Sequence, residues 1–238
     1  MDTIETISLS NLALALIPAL LVLLIFARWS LNVVHPVYAL MRMLTQLALV
    51  GYALAFIFAA ENSHIILLVL CIMCFASSWI ALSTVKELRL TLYKYAFLAI
   101  TIGGGFTLLL ITQGTLHLTP WFAPHYMVPI AGMVFANSMN SVSLSAERLH
   151  SELLNKHSYI EARNIAFQAA MIPVINSLFA VGLVSLPGMM TGQILSGISP
   201  FIAARYQIMV MAMIFGSSGL STALYLSFVK YSYARHFS

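Results

Sequence analysis

The chain is poor in charge. Asp, Glu, Lys and Arg make up 8% of its 238 residues, against about a quarter in ordinary globular domains. With 61% hydrophobic residues and a mean hydropathy of +0.95, there is too little polar surface to cover a water-soluble core. No Lys follows a Gly anywhere, so no G-x-x-x-x-G-K-[ST] loop that would cradle the phosphates of ATP is encoded, and if this chain pumps, another subunit is expected to supply the energy. No Asp or Glu lies deep in an apolar run; Glu61 and Glu147 stand at ends. Ion-coupled carriers place buried carboxylates or histidines along their path, which argues against a self-powered antiporter. Cysteine is confined to Cys71 and Cys74 within "IILLVLCIMCFASSWIAL", where the spacing puts two small residues on one helix face. That favours packing over a redox pair. The period-two alternation of a transmembrane barrel is also missing.

What is present is a series of apolar segments, each near the 20 residues needed to cross about 30 Å of hydrocarbon. They fall at 11–27, 37–60, 64–85, 93–114, 124–145, 166–186 and 206–228. The start, "MDTIETISLSNLALALIPALLVLLIFARW", is acidic before its apolar run and basic after it. A secretory leader has the reverse order, so this is read as a retained first helix. With the N-terminus outside, Arg28, Arg42, Lys86, Arg89, Lys94, Arg148, Lys156, Arg163, Lys230 and Arg235 all fall on the cytoplasmic side. Arg205 falls outside, along with Asp2, Glu5 and Glu61. Cations resist translocation, and this asymmetry sets the orientation. The expected fold is therefore an all-α integral membrane protein of about seven transmembrane helices, N-terminus outside and C-terminus cytoplasmic.

Three stretches carry polar chemistry. In "MVPIAGMVFANSMNSVSLSAERL", Met133, Asn137, Asn140 and Ser141 recur at i, i+4, i+7 and i+8, one stripe of a helix. Amides in hydrocarbon need partners, so the stripe faces either a water-filled route or another helix. In "FQAAMIPVINSLFAVGLVSLPGMMTGQ", Pro187 is expected to leave the carbonyl of Leu183 without its helical donor, as Pro173 does for Ala169. Freed carbonyls at membrane depth must be satisfied by protein or by cavity water. Asn176, Met189, Met190 and Gln193 lie nearby. The segment 185–205 then reads as a broken sixth helix continuing into a re-entrant helix, or as an external turn punctuated by Pro and Gly. The block 147–164, "ERLHSELLNKHSYIEARN", is the longest expected inner loop and mixes Glu147, Arg148, Glu152, Lys156, His157, Glu161 and Arg163. It suits a solvated loop or a docking helix for a cytoplasmic partner. The 13 methionines offer soft thioether ligands but more often fill gaps between helices, and His64, His117 and His125 are scattered. No metal site is assigned.

The strings "GMVFANSMNSVSLSAERL", "IPVINSLFAVGLVSLPGMMTGQILSG" and "YQIMVM", with "RMLTQLALVG" (Arg42, Gln46, Leu47, Gly51) earlier, resemble the FetB (YbbM)-type permeases. These are membrane subunits of bacterial iron-export ABC transporters, related to plant aluminium-tolerance permeases. The resemblance spans nearly the whole chain. It implies a single transmembrane permease domain over 1–238, in the bacterial inner membrane. It further implies a homodimer that works with a separate cytoplasmic ABC ATPase, which holds the ATP and Mg while this chain binds no cofactor. Under that reading 147–164 couples to the ATPase. Met133, Asn137, Asn140, Asn176, Leu183, Pro187, Met189, Met190 and Gln193 line the substrate route. The chain departs from the family where a Gly-Ala-Thr-like turn is usual, having Lys156-His157-Ser158 instead. Export of iron comes from the resemblance; the residues themselves, lacking a buried carboxylate, equally suit a metal crossing weakly held or complexed, or a neutral or amphipathic organic solute. A stand-alone channel or secondary carrier and a non-transporting scaffold are the rivals from other classes. No nucleic-acid partner is expected.

Overall fold

The structure, a computed structural model, describes residues 8–58, 62–230 and 232–233. Asp2, Glu5, Glu61 and Arg235, used in the charge argument, lie outside the described residues, as does the end of the expected 37–60 segment. The described residues are helical with no strands, and they divide into two units, residues 1–59 and 60–238.

The first unit holds α1 (Leu9–Ala15), α2 (Ile17–Arg28) and α3 (Val34–Phe58). Pro18 explains the break between α1 and α2. Its ring nitrogen cannot donate to the carbonyl of Leu14, and the Leu16 N–H turns back to Ala13 and Leu14. Asn32 starts α3 by accepting the N–H of Val34 at 3.0 Å. No described residue of α2 or α3 is buried.

The second unit contains α4 (Ser63–Ala81), α5 (Arg89–Leu109), α6 (Pro124–Leu154), α7 (Tyr159–Ala180), α8 (Gly188–Leu195) and α9 (Pro200–Phe228). A 3₁₀ turn, Lys86–Leu88, precedes α5 and a π-helical turn, Leu110–Thr115, prolongs it. α9 is central, packed on α5, α6, α7 and α8, while α4 packs on α5 and α6. Small residues allow this. A Cβ added at Gly103 of α5 would lie 2.7 Å from the backbone nitrogen of Ser221, so α5 and α9 meet backbone to backbone there. At the same level the hydroxyl of Ser221 donates to Ser138 Oγ at 3.1 Å, and Ser138 donates to the Ser217 carbonyl at 3.2 Å. Next to Gly103, Gly104 faces Val134 and Phe135 of α6. The α4–α5 pair is tied at the other end by Arg89, which donates its Nε to the Trp79 carbonyl at 3.1 Å and stacks over the Trp79 ring at 3.8 Å. A cation at the last turn of α4 satisfies a carbonyl that the helix itself leaves open. Cys71 and Cys74 are free thiols, and Cys74 Sγ lies 3.1 Å from Thr101 Oγ1 of α5.

Among the described residues, six helices are long and apolar enough to cross a membrane: Ser10–Arg28, Val34–Phe58, Ser63–Ala81, Lys86–Thr115, Pro124–Leu154 and Pro200–Phe228. The expected sixth span of seven, 166–186, is not among them. It forms part of α7, where Arg163, Asn164, Gln168 and Asn176 dilute the apolar run, and it stops at Ala180. Two other expectations change. The fifth span continues as helix to Leu154, so the expected long inner loop at 147–164 reduces to the turn 155–158. Helix does not continue to Leu183 either. Leu183 sits in a turn, 90% exposed, so Pro187 frees no helical carbonyl there and instead precedes α8 as its cap residue.

The backbone contact at Gly103 makes a direct prediction. Gly103→Ala forces α5 away from α9 and lowers stability by about 1–3 kcal/mol, the usual range for overpacking. Gly105→Ala, where nothing lies within 4 Å, leaves it unchanged or higher. Thermal unfolding of the two variants in detergent, read beside the parent, checks this.

Candidate functional site

A cavity of about 430 Å³ opens between α6, α7, α8 and α9. From α6 it is lined by Met133, Asn137, Asn140, Ser141 and Leu144, the face that the i, i+4, i+7, i+8 spacing defines. From α7 come Ala170, Pro173, Val174, Ser177 and Ala180. Pro187, Gly188 and Met189 close one side, and Gln207, Val210, Met211 and Ile214 of α9 form the floor. No lining residue is ionisable.

Local rules position each wall. Asn137 Nδ2 donates to the Met133 carbonyl at 2.8 Å, so one end of the amide is anchored on its own helix and the other is left to the cavity. Pro173 interrupts the α7 ladder at the wall and deprives the Ala169 carbonyl of its usual donor. One turn later Ser177 donates back to the Pro173 carbonyl at 2.9 Å. After Ala180 the chain turns sharply. The N–H groups of Leu183, Val184 and Ser185 converge on the Ala180 carbonyl, and Gly182 takes φ +82°, a conformation that favours glycine. Gly197, at φ +85°, ends α8 in the same way, with Ile198 N–H returning to the Gln193 carbonyl at 3.0 Å. The proline and glycines of the 182–197 stretch thus build a tight helix that lays Met189 against the cavity.

The structure brings Met133, Asn137, Asn140, Pro187 and Met189 together around this cavity. It does not bring the others. Asn176 is exposed off the lining face of α7, because one residue is a 100° rotation; its neighbour Ser177 faces in instead. Met190, one residue on from Met189, turns into a second chamber, and Leu183 points away. Gln193 lines neither chamber, and its Oε1 is buried without a hydrogen bond. Gln207 was not anticipated, although a glutamine within "YQIMVMAMIF" is the kind of polar intrusion that marks such a wall. It is 4% exposed and its Oε1 has no hydrogen-bond partner.

At the other end of α6 the charged block forms a compact corner. Glu152 is buried and pairs with Arg148 at 2.6 Å and His157 at 3.4 Å. Lys156 ends α6 at φ +64°, with Lys156 N–H on the Leu153 carbonyl and His157 N–H on that of Glu152. This is the two-bond helix stop usually made by glycine. Ser158 and Glu161 then cap α7 reciprocally: Glu161 N–H donates to Ser158 Oγ at 3.4 Å, and Ser158 N–H to Glu161 Oε2 at 3.1 Å. The Ser158 hydroxyl and N–H hold the Glu161 carboxyl below its usual range. Tyr159 donates its hydroxyl to the Leu226 carbonyl, tying the start of α7 to the end of α9; burial pushes this phenol up to about 12, so it stays a donor. Glu147, Arg148, Lys156, His157, Glu161 and Arg163 remain exposed around the corner.

The family model for the uncharacterised protein family UPF0014 matches residues 9–234. The chain belongs to that family. It is 34% identical over 251 residues to the probable iron export permease protein FetB of Escherichia coli, covering 98% of this chain and 95% of that protein. It is 34% identical over 215 residues to the UPF0014 membrane protein YjkA of Bacillus subtilis, covering 82% of each. It is also 33% identical over 207 residues to the protein ALUMINUM SENSITIVE 3 of Arabidopsis thaliana, covering 80% of this chain and 74% of that one. No solved structure matches the chain. The resemblance read from the sequence is therefore correct, and the chain is a UPF0014 membrane protein related to permeases.

The corner at 152–161 yields two expected outcomes. Lys156→Gly relieves a left-handed residue and raises stability by about 0.5–1 kcal/mol, measured by thermal unfolding. The folded-state pKa of Glu161 is depressed, so its contribution is present above the unfolded carboxylate pKa and is lost as pH falls through the lower, folded value. Glu161→Gln therefore flattens the acid limb of the stability curve; an unchanged acid limb contradicts the reciprocal cap.

Proposed function

We propose that the chain is the permease subunit of an ATP-driven ABC transporter that exports a metal, iron by its likeness to FetB, and acts with a separate cytoplasmic ATPase. The observation that carries the reading is the uncharged cavity between α6, α7 and α9, in a chain that has no phosphate loop of its own. The permease crosses the bacterial inner membrane seven times, with α7 as the sixth span, N-terminus outside and C-terminus cytoplasmic. Two copies pair with two ATPases. The length of α6 supports this placement: its 31 residues extend about 46 Å, some 16 Å beyond the hydrocarbon. The excess is the part that bears Glu147, Arg148 and Glu152.

The ATPase docks on the corner at 147–164, and the exposed Lys156 and Arg163 make the contact. Glu152 and Glu161 are engaged inside the chain, so reversing them would disturb the corner itself. Arg163→Glu with Lys156→Glu is expected to cut ATPase co-purification at least fivefold while leaving the unfolding midpoint near that of the parent. Unchanged co-purification sinks the docking assignment.

The cargo meets amides, hydroxyls and thioethers. Among the described residues no group of three or more His, Cys, Asp or Glu gathers to hold a metal ion. The metal therefore crosses weakly held or already complexed, with Asn137 and Asn140 as neutral donors. In reconstituted complex, Asn137→Leu is expected to lower metal-stimulated ATPase activity about tenfold with the fold intact. A stoichiometric, submicromolar site for free Fe²⁺ on the purified chain would overturn the weak-binding reading.

A further inference from the structure

A second chamber, of about 480 Å³, lies beside the first. Its walls are apolar: Leu178 from α7, Met190 from α8, and Ile208, Ala212 and Phe215 from α9. Val181, Gln207 and Met211 line both chambers and form the partition between them. On α8, Met189 faces one side of that partition and Met190 the other. Leu178, Ile208 and Phe215 are exposed at the rim, Ile208 by 70%, so the second chamber is open along the apolar flank of α7 and α9.

The partition holds an unmet hydrogen bond. Gln207 is almost wholly buried, yet its Oε1 has no partner. A buried amide left unpaired is costly, so a site of this kind is completed by a ligand group that bonds to it. From the sheltered amide a ligand's head would reach Asn137, Asn140 and Ser177 on one side, while its body would lie among Leu178, Ile208 and Phe215 on the other. With no ionisable group in either lining, a charged head would be desolvated without compensation. A hydroxyl-bearing head suits either orientation of an amide, because hydroxyls both donate and accept.

We infer that the two chambers form one site for an uncharged amphiphile, which enters sideways from the bilayer between α7 and α9 and places a hydroxyl-bearing head on Gln207. This deepens the proposed transport reading by naming a lateral route and a ligand class for the same cavity. A complexed metal could travel the route only with an uncharged, hydroxyl-bearing organic shell.

The test uses the full chain alone in phosphatidylcholine proteoliposomes, so it is independent of whether an ATPase partner exists. Two photoactivatable probes with the same diazirine-bearing acyl chain are compared: a monoacylglycerol, and a fatty acid methyl ester that carries no hydrogen-bond donor. Cross-linking is read by mass spectrometry on the peptide containing Ile208–Phe215. The monoacylglycerol is expected to label it at least fivefold more than the methyl ester, and excess unlabelled monoacylglycerol to abolish the difference. Gln207→Leu should bring monoacylglycerol labelling down to the methyl ester level. Leu178→Trp, at the exposed rim, should block labelling by both probes without touching the buried core. Equal labelling by the two probes, or labelling indifferent to both substitutions, overturns the proposal and leaves a plain lipid-facing crevice.

Discussion

The core of the second unit, α5, α6 and α9, depends on one close approach, where α5 and α9 meet backbone to backbone at Gly103 and Ser221. In a bilayer, apolar side chains gain little by leaving lipid for protein, so helices associate through close packing and interhelical hydrogen bonds. Gly103 supplies the space. Ser138 and Ser221 supply the bonds, and the Ser217 carbonyl accepts the last of them. Three helices are thereby fixed at one level, α5 and α6 each against α9. The cavity walls follow, because Met133 and Asn137 lie within two turns of Ser138, and Met211 and Ile214 lie within two turns of Ser217. α7 and α8 complete the chamber as its third side. Pro173 weakens the α7 ladder at the wall, and the turn after Ala180 connects to α8 through glycine-bearing corners.

Part of this was legible in the sequence because it obeys a period. The stripe at 133, 137, 140 and 141 lines the cavity because helix geometry leaves no other choice once one member does. The punctuation of 182–197 was legible too, since Gly182 and Gly197 occupy left-handed positions that other residues avoid. What failed was anything set by where a helix ends. Helix read through Leu183 puts Leu183 on the route, but α7 stops at Ala180; Asn176, chosen for its polarity, lies 100° round the helix from Ser177, which is the residue that lines the cavity. The charged block suits an inner loop or a docking helix in the sequence, and its polarity belongs to the end of α6, to a stop made by Lys156 and to the cap of α7. Glu152 looked like a solvated charge and is a buried partner of Arg148 and His157. Gln207 is marked locally as a polar residue in an apolar run, but its burial depends on contacts between helices distant in sequence.

The neutrality of the cavity bears on how work is done in such a protein. A divalent ion held by fixed carboxylates would bind strongly, and its release would have to be driven by a large change in the site. Amides and hydroxyls would bind such an ion weakly, so little change in the site would be needed to release it. The cost is selectivity, since neutral donors discriminate poorly among metals. Shape and desolvation must then supply discrimination. An apolar annex that shares a wall with a polar cavity does so by its form: it rewards a ligand with one polar end and one apolar end and penalises a hydrated ion, which would have to shed water against Leu178 and Phe215 with nothing in return. Under the proposed route, the two chambers would reconcile a cavity without ionisable groups with a family in which some relatives are named for metals, provided that the metal crosses wrapped in an uncharged organic ligand rather than bare.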